Sequence, residues 1–341
     1  MGTALTPPEM TRLRSAGPAI SVQALTKRYG TIDAVRGIDF DVAPGEVFGL
    51  LGPNGAGKST TIKMLCTLVA PTRGRALVAG HDVSTERDAV RRNIGLVFQD
   101  PTLDGYLTAE QNLRFHAELY GVPRSAVAGR LRALLEMVGL WERRSSKVKT
   151  FSGGMKRRLE IARGLLHSPR VLFLDEPTIG LDPQTRRSIW GYIGELKATE
   201  HITIFMTTHY MDEAEYCDRI AIMDDGRLVA LDAPQVLKAR VANDRVQIRT
   251  TDDAAAIEAL RRRFGIEAAV HEGSVTFSVA DGAQFVPRLF AELEVPIEQV
   301  SVARPSLDDV FMAYTGRTIR DAESAAPDQW MRHVAAARGR S

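Results

Sequence analysis

Apolar positions follow two periods along the chain, and the change of period marks its elements. The first fifty residues alternate as β-strands do and end in VFGLL, a continuous apolar run typical of a buried strand. Helical periodicity dominates from Thr108 to about Leu140. Further short apolar runs, each typical of a strand, are IGLVF, RVLFLDEP and HITIFMTTH. Strands that alternate with helices predict an α/β core whose parallel strands are buried on both faces.

The pattern changes near residue 243. From there, strand, helix, strand, strand, helix and strand signals follow one another, an order that predicts a small α+β domain of ferredoxin-like type. Ser306 stands three residues before Asp309, as in a capping box, and predicts the start of a final helix. We therefore divide the chain into a flexible segment 1–18, a first domain 19–242, an accessory α+β domain 243–316 and a mobile tail 317–341.

Composition limits the functional classes. At 341 residues with a net charge of +2, the chain is long enough for two domains and gives no sign of a strongly cationic nucleic-acid-binding protein. Cys66 and Cys217 lie far apart without CxxC spacing, as expected of buried thiols in a reducing cytosol. No apolar run reaches the roughly 18–20 residues that span a bilayer. We expect a soluble chain whose membrane role, if it has one, comes through a partner.

The strongest chemical signal is GPNGAGKST, which spans Gly52 to Thr60 between a predicted strand and a predicted helix. The pattern GxxxxGK[ST] lets backbone N–H groups surround phosphate oxygens at a helix N-terminus, whose partial positive charge favours anions. Within the loop, Lys58 is predicted to reach the terminal phosphates and Ser59 to offer its hydroxyl to Mg²⁺. The sequence therefore predicts a phosphate-binding loop.

Side chains at the ends of other predicted strands complete this site. Asp175 is placed to hold Mg²⁺ through its water shell, and the adjacent Glu176 to polarise an attacking water. Gln99 ends another strand, where its amide can contact the metal or water, and His209 ends a third, where its imidazole can bond the γ-phosphate. Tyr29 precedes a glycine and can stack on adenine through its ring face. Without the phosphate loop, the last three would be ordinary structural residues.

Taken together, these motifs resemble the ATP-binding subunits of ABC transporters over roughly residues 20–240. An aromatic residue, a Walker A loop, a glutamine loop, Ser-Gly-Gly, a Walker B strand with Glu, Leu181-Asp182 and a switch His follow in the family's order. The resemblance implies the P-loop fold with a helical subdomain, and it implies the roles given above for the strand-end residues. It also implies that the phosphates are cradled by Gly52, Asn54, Gly55, Gly57, Lys58, Ser59 and Thr60.

The stretch FSGGMKRRLE resembles the family signature Leu-Ser-Gly-Gly-Gln. In the family this loop faces the γ-phosphate on the partner's P-loop, so the resemblance implies a head-to-tail homodimer with two ATPs at its interface. Ser152, Gly153 and Gly154 are intact, whereas Phe151 and Met155 replace Leu and Gln.

The helix that follows the signature has two sequence features. One apolar side is predicted to be buried, and it consists of Met155, Leu159, Ala162 and Leu166. Lys156, Arg157 and Arg158 occupy the first turns, where cations oppose the helix macrodipole. Either these side chains attract an anion to the helix end or they extend into water, and the sequence leaves both alternatives open.

The C-terminal PSLDDVFMAYTGR resembles the daunorubicin/doxorubicin-resistance type of drug exporter. The resemblance implies an ATPase at the cytoplasmic face of the membrane that powers efflux of a drug-like or lipophilic compound through a separate integral-membrane permease, which docks on DPTLDGYLTAEQNLRF after Gln99. An importer ATPase and a non-transport ABC ATPase acting on nucleic acid or ribosomes remain as alternatives. A single cassette without a long coiled coil argues against the latter, so no nucleic-acid partner is predicted.

Overall fold

The computed structural model describes residues 17–100, 102–200, 202–241, 243–271 and 274–319. They pack as two compact units, one that ends at Ala233 and includes Ile319, and one formed by Pro234–Thr318. Most of the predicted N-terminal segment and of the predicted tail lies outside the described residues. The predicted domain bounds stay a prediction.

The first unit is the larger α/β unit. Its strands are β1 (Ile20–Tyr29), β2 (Ile32–Val42), β3 (Val47–Leu51), β4 (Arg73–Val78), β5 (His81–Asp82), β6 (Ile94–Val97), β7 (Val171–Asp175), β8 (Thr203–Thr208), β9 (Arg219–Asp224) and β10 (Arg227–Asp232). Its α-helices are α1 (Lys58–Leu65), α2 (Arg87–Asn93), α3 (Ala109–Leu119), α4 (Arg124–Met137), α5 (Gly153–Gly164), α6 (Pro183–Glu200) and α7 (Met211–Ala214).

A six-stranded sheet forms the centre of this unit, in the order β10-β9-β3-β8-β7-β6. Strands β9 to β6 of that order pair in parallel, and β10 joins antiparallel at one edge. Strands β3, β7 and β8 are buried along their whole length, as the continuous apolar runs predict. Because carboxyl ends of parallel strands meet at one edge of a sheet, the residues that follow β3, β6, β7 and β8 come together there.

A second sheet, antiparallel and ordered β2-β1-β4-β5, packs against the first. The rings of Phe40, Phe48 and Phe205 stack between the two sheets. The centroid of Phe48 lies 5.3 Å from that of Phe40 and 5.5 Å from that of Phe205. Both cysteines are buried free thiols.

The predicted helical region forms α3 and α4. Thr108 caps α3 in a capping box with Gln111, and the chain turns at Gly121, whose φ of 69° is left-handed, before α4 begins. The outer side of α3 leaves Phe115 and Leu119 in water, with 59% and 67% of their surface exposed. These two apolar side chains lie outside the hydrophobic core.

The predicted apolar side is largely buried, since Leu159, Ala162 and Leu166 all belong to the core. The helix ends at Gly164, so Leu166 lies beyond it, and Met155 is only half-buried. Three charged residues are buried as well: Arg157, Glu160 and Arg163. Neither alternative for the cations describes Arg157, because its side chain points into the protein.

The second unit is an α+β unit. It contains α8 (Pro234–Val241), β11 (Asp244–Thr250), α9 (Asp253–Phe264), β12 (Ala268–His271), β13 (Ser274–Val279), α10 (Gly282–Glu292), β14 (Ile297–Ala303) and α11 (Leu307–Thr315). Its antiparallel sheet has the order β12-β13-β11-β14, and β11 to β14 follow the predicted β-α-β-β-α-β sequence. The ferredoxin-like assignment stays a prediction. Ser306 and Asp309 form the predicted capping box at α11.

Candidate functional site

The glycine-rich loop after β3 has a backbone that only glycine fits at two points. A Cβ on Gly52 would lie 2.2 Å from the carbonyl oxygen of Met223. Gly57 has a φ of 109°, and a Cβ there would lie 2.5 Å from the carbonyl oxygen of Ala34. Helix α1 begins directly afterwards at Lys58 without a side-chain cap. Its N-terminal N–H groups are therefore available to an anion.

Lys58 lies beneath this loop and is buried. Its ammonium donates hydrogen bonds to the carbonyl oxygens of Gly52 and Pro53, at 2.7 and 3.0 Å. The same nitrogen lies 3.5 Å from Oε1 of Glu176. The structure thus brings the lysine of the loop and one acid of the β7 end into a single buried cluster.

Asp175, the last residue of β7, contacts two hydroxyl groups. Ser59 Oγ donates to its Oδ1 at 3.3 Å, and Thr207 Oγ1 donates to the same oxygen at 2.5 Å. The Thr207 hydroxyl also accepts a hydrogen bond from the backbone N–H of Glu176, at 3.0 Å. Sequence reasoning missed Thr207. The signal that could have found it is a pair of hydroxyl residues at the end of an apolar strand.

Glu176 has an unusual backbone. Its φ of 45° lies in the left-handed region, which costs a non-glycine residue on the order of 1–3 kcal/mol and is typical of functional sites. Burial acts to raise the pKa of this carboxyl, but the contacts with His209 and Lys58 outweigh it and lower the pKa below its ordinary value. The carboxylate is therefore ionised at neutral pH, as a proton acceptor must be.

His209 follows β8 and faces the same carboxylate. Its Nδ1 lies 3.4 Å from Oε2 of Glu176, and its ring lies 4.0 Å from that of Tyr210. The Nδ1 atom is buried and has no aligned hydrogen-bond partner within the described residues, so the contact with Glu176 is electrostatic. A half-buried imidazole with an unused polar atom fits a site that receives a further polar group.

Behind His209 lies a second buried carboxylate, Glu213. It accepts hydrogen bonds from the hydroxyls of Thr178 and Thr208, the latter at 2.7 Å, and Nε of Arg186 lies 3.8 Å away. Burial raises the pKa of Glu213 in spite of these partners. Glu213 thereby joins the segment after Glu176 to the end of β8. No sequence signal distinguished it from a solvated acid of a short helix.

Other predicted residues of the site lie around this cluster. Tyr29 ends β1 with 44% of its surface exposed, and the ammonium of Lys27 lies 4.9 Å from its ring centroid. Asn54 and Gly55 are exposed at the tip of the loop, and Thr60 is half-buried in the first turn of α1. Their positions leave them accessible to a ligand in the loop.

Gln99 lies two residues past β6 and is exposed. In the described part of the chain its side chain makes no hydrogen bond, so the structure does not bring it into contact with Asp175. Its predicted metal role stays a prediction.

The signature residues lie at the start of α5. Ser152 caps α5, its Oγ accepting from the N–H of Met155 at 3.3 Å, and both Ser152 and Gly153 are exposed. A Cβ on Gly154 would lie 2.3 Å from Cγ2 of Thr185, so α5 and α6 approach each other closely there.

The donor set of the cluster fits a magnesium nucleotide. The Ser59 hydroxyl and the Asp175 carboxylate supply hard oxygen ligands 3.3 Å apart, which suit Mg²⁺. The uncapped N-terminus of α1 and the buried Lys58 suit phosphate oxygens. The arrangement can therefore bind a nucleoside triphosphate and present Glu176 to a water near its terminal phosphate.

Comparison with known proteins agrees with this chemistry. Residues 35–179 match the family described as ABC transporter, and residues 233–315 match the C-terminal domain described as ATP-binding protein DrrA1-3-like. The linearmycin resistance ATP-binding protein LnrL of Bacillus subtilis is 39% identical over 89% of this chain and 100% of its own. The chain belongs to the family of ABC transporter ATP-binding proteins. The daunorubicin/doxorubicin resistance ATP-binding protein DrrA of Streptomyces peucetius is also 39% identical, over 91% of this chain and 97% of its own.

Solved structures of ABC ATP-binding subunits share the fold. The cbiO1 subunit from Clostridium perfringens, part of the ABC transporter complex cbiONQ, has a TM-score of 0.62 and 29% identity, covering 73% of this chain and 96% of its own. A dimeric ATP-binding cassette bound to ADP and Pi in a post-hydrolysis state has a TM-score of 0.57 and 27% identity, covering 63% of this chain and 98% of its own.

These similarities confirm the predicted family, the P-loop α/β fold and the ATPase activity coupled to transport. This ABC ATP-binding subunit is of the exporter type, and the importer alternative is not favoured by its relatives. No helix in the described part of the chain combines the length and the apolar character that a bilayer crossing requires.

Proposed function

We propose that this ABC subunit hydrolyses ATP at the cytoplasmic face of the membrane and so powers the efflux of a drug-like or lipophilic compound through a separate permease. The observation that supports the chemistry is the convergence of Lys58, Asp175, Glu176 and His209 on one edge of the sheet. The compound class rests on relatives that are named for resistance to linearmycin and to daunorubicin/doxorubicin.

Each residue of the cluster has a proposed role. Bound Mg²⁺ would neutralise phosphate charge, and Ser59, Asp175 and Gln99 would hold it. The ammonium of Lys58 binds the terminal phosphates, together with the N–H groups of Asn54, Gly55, Gly57, Ser59 and Thr60. Gly52, whose N–H donates to the carbonyl oxygen of Thr208 at 3.2 Å, borders the phosphates without donating to them. Tyr29 stacks on adenine.

Glu176 is the proposed general base. Its carboxylate accepts a proton from water as that water attacks the terminal phosphorus, and the bond from this phosphorus to the bridging oxygen breaks, so that ADP leaves. His209 bonds the γ-phosphate and keeps the carboxylate oriented. The lowered pKa of Glu176 keeps the base ionised at neutral pH.

The signature is proposed to act on the other subunit of a homodimer. Ser152 and Gly153 are exposed, and Gly154 lies in the first turn of α5. Facing the ATP on the partner's loop would give them a phosphate to bind, and two such sites would lie in the dimer interface. The dimeric relative bound to ADP and Pi supports this assembly.

The permease is proposed to dock on the segment after Gln99. Tyr106, Phe115 and Leu119 expose 76%, 59% and 67% of their surface along this segment and α3. An apolar patch of this kind on an otherwise polar surface marks a protein interface. We assign it to a cytoplasmic helix of the permease, in line with the relative that is part of a transporter complex.

The proposal is tested with Glu176→Gln, which keeps the shape of the side chain and removes its basicity. We expect turnover to fall by on the order of 10²–10⁴, the usual contribution of a general base, while ATP affinity is retained. Glu195→Gln, an exposed position on α6, is the matched control. Hydrolysis by Glu176→Gln at the wild-type rate in a phosphate-release assay would overturn the assignment.

The transport role is tested with the full chain and the permease that co-purifies with it from membranes. The permease is reconstituted in vesicles, and ATP hydrolysis by the full chain is measured with and without it. Stimulation of ATP hydrolysis by the permease is expected. Stimulation by RNA or ribosomes instead would support the nucleic-acid alternative, and dependence on a substrate-binding protein would support import.

A further inference from the structure

The guanidinium of Arg157 lies inside the first unit, with only 6% of the residue exposed. Its Nε donates to the carbonyl oxygen of Pro177 at 2.5 Å. Its Nη2 donates to the carbonyl oxygens of Asp175 and Glu176, at 3.0 and 3.1 Å, and its Nη1 donates to that of Phe98. One side chain thus binds the backbone on both sides of the proposed base.

These carbonyl groups lie where the sheet stops pairing. The parallel ladder between β6 and β7 ends with Val97 opposite Leu174, so the chain beyond it has no strand partner across that gap. Buried carbonyl oxygens need donors, and a guanidinium presents five N–H groups in a rigid fork. The guanidinium of Arg157 therefore joins the chain after β6 to the end of β7, where the backbone ladder between the two strands has ended.

The backbone that Arg157 binds is strained. Glu176 has a φ of 45°, and its own carbonyl and the carbonyls before and after it all accept from the one guanidinium. Such a conformation persists only when its surroundings over-determine it. The Thr207 hydroxyl fixes the N–H side of Glu176, and Arg157 fixes the carbonyl side.

Glu160 fixes the guanidinium in turn. It is fully buried, its Oε2 accepts from Nη1 of Arg157 at 3.3 Å, and its Oε1 accepts from the N–H of Thr102 at 2.7 Å. Burial lowers the pKa of Arg157, and the charge of Glu160 opposes that shift. The pair thereby also attaches the segment just after Gln99 to α5.

We infer that Arg157 is a positioning residue for ATP hydrolysis, one that holds the strained backbone of Glu176 and the strand end before Gln99 in register. The inference rests on the proposed role of Glu176 as the base. Among the described residues, Arg157 donates to backbone carbonyl oxygens and to Glu160, and to no side-chain oxygen of a predicted phosphate or metal ligand. Its effect is therefore expected on turnover and not on ATP affinity.

Arg158, its neighbour on α5, is a matched control. Its Nη1 also donates to a backbone carbonyl, that of Val138 at 2.8 Å, and to the hydroxyl of Tyr192 at 3.1 Å. Those contacts are with α6 and with the residue that follows α4, and not with the backbone of β7. A variant of Arg158 disturbs the same helix without touching the backbone of Glu176.

The test measures kcat and the ATP dissociation constant for Arg157→Met and Arg158→Met in the full chain. We expect Arg157→Met to lower kcat by about 30-fold or more, with ATP affinity within about threefold of wild type, and Arg158→Met to leave both within about threefold. Arg157→Lys should recover part of the loss, because an ammonium has three donors and no planar fork.

Arg157→Met leaves the charge of Glu160 buried without its partner, which can prevent folding. Arg157→Met combined with Glu160→Gln removes that charge, and the side-chain amide introduced by the second substitution can still accept from the N–H of Thr102. We expect the double variant to unfold cooperatively on heating and to show the same loss of kcat as Arg157→Met, about 30-fold or more. Glu160→Gln alone should keep at least about a third of the wild-type kcat.

Two results would overturn the inference: a folded Arg157 variant with wild-type kcat, or equal losses of kcat in the Arg157 and Arg158 variants, which would indicate a general effect on α5. Glu176→Gln measured beside them separates the two proposals. If Glu176→Gln is slow and the Arg157 variants are fast, only the positioning role fails; if Glu176→Gln is fast, the assignment of the base fails first.

Discussion

Nδ1 of His209 lies 3.4 Å from Oε2 of Glu176, at the carboxyl ends of two adjacent strands. This contact is one of the causes that lower the pKa of Glu176 against the effect of burial. The histidine therefore has two consequences for the base: it restricts the orientation of the carboxylate, and it extends the pH range in which the carboxylate is ionised.

His209→Ala should move the acid limb of the kcat profile to higher pH. Without the imidazole the pKa of Glu176 rises, so protonation removes the base at a higher pH than in the wild type. The measurement is kcat between about pH 4.5 and 8, with Tyr210→Phe as the control for ring packing. An acid limb that stays in place or moves to lower pH contradicts the assignment.

The head-to-tail arrangement makes a prediction for mixed subunits. Ser152→Arg spoils the signature that a chain offers to its partner, and Lys58→Ala spoils a chain's own loop. Each homodimer should be inactive, whereas equal mixing should restore about one quarter of the wild-type rate, because half of the dimers contain one intact site of two.

The control for this experiment mixes Lys58→Ala with the double variant Lys58→Ala and Ser152→Arg, a combination that has no intact site. Mass analysis of differently tagged chains establishes that mixed dimers form. No restored hydrolysis in mixed dimers would mean that Ser152 serves the nucleotide of its own chain.

A pair of Gly→Ala variants should change stability in opposite directions. A Cβ on Gly95 in β6 would lie 2.2 Å from the carbonyl oxygen of Gly164 in α5, so Gly95→Ala should lower the free energy of unfolding by about 1–3 kcal/mol. Gly129 in α4 has nothing within 4 Å of a Cβ, so Gly129→Ala should raise it by about 0.5–1 kcal/mol. Urea unfolding measures both changes. If both variants changed the free energy of unfolding in the same direction, α5 would not pack against β6 as closely as described.

Glu213 should make stability depend on pH. Its folded-state pKa is raised, so its contribution to stability is present at low pH and is lost as the pH rises through the folded pKa. Relative to Glu213→Gln, which does not ionise, the wild type should become less stable as the pH rises above the ordinary glutamate pKa of 4.5 and through the raised folded-state pKa. Urea unfolding of both chains at several pH values tests this, with Glu195→Gln as an exposed control. If the wild type instead gains free energy of unfolding relative to Glu213→Gln as the pH rises, the folded protein stabilises the ionised carboxylate.

Much of the fold was predictable because parallel strands buried on both faces appear in the sequence as continuous apolar runs. Strands β3, β7 and β8 are continuous apolar runs, and the residues that end them are the ones with chemistry. The glycine pattern of the phosphate loop was predictable as a local motif, although the backbone atoms that require Gly52 and Gly57 belong to Met223 and Ala34, which are distant in sequence. The capping boxes at Thr108 and Ser306 are equally local signals.

What the sequence did not predict is burial of charge. Arg157 stands between two other basic residues, and its position on α5 relative to β7 depends on packing that no local pattern records. Thr207 and Glu213 were missed for a related reason, because each owes its place to a partner more than thirty residues away. Gln99 was predicted from its strand end, and the structure leaves its side chain in water.

The exposed apolar side of α3 has a consequence for the supply of subunits. If the permease covers Phe115 and Leu119, every chain made in excess of the permease keeps these side chains in water, where they promote aggregation and removal by proteases. The amount of this subunit in a cell should therefore follow the amount of its permease. Depleting the permease should shorten the lifetime of the wild-type chain, and replacing both side chains by Ser should restore it.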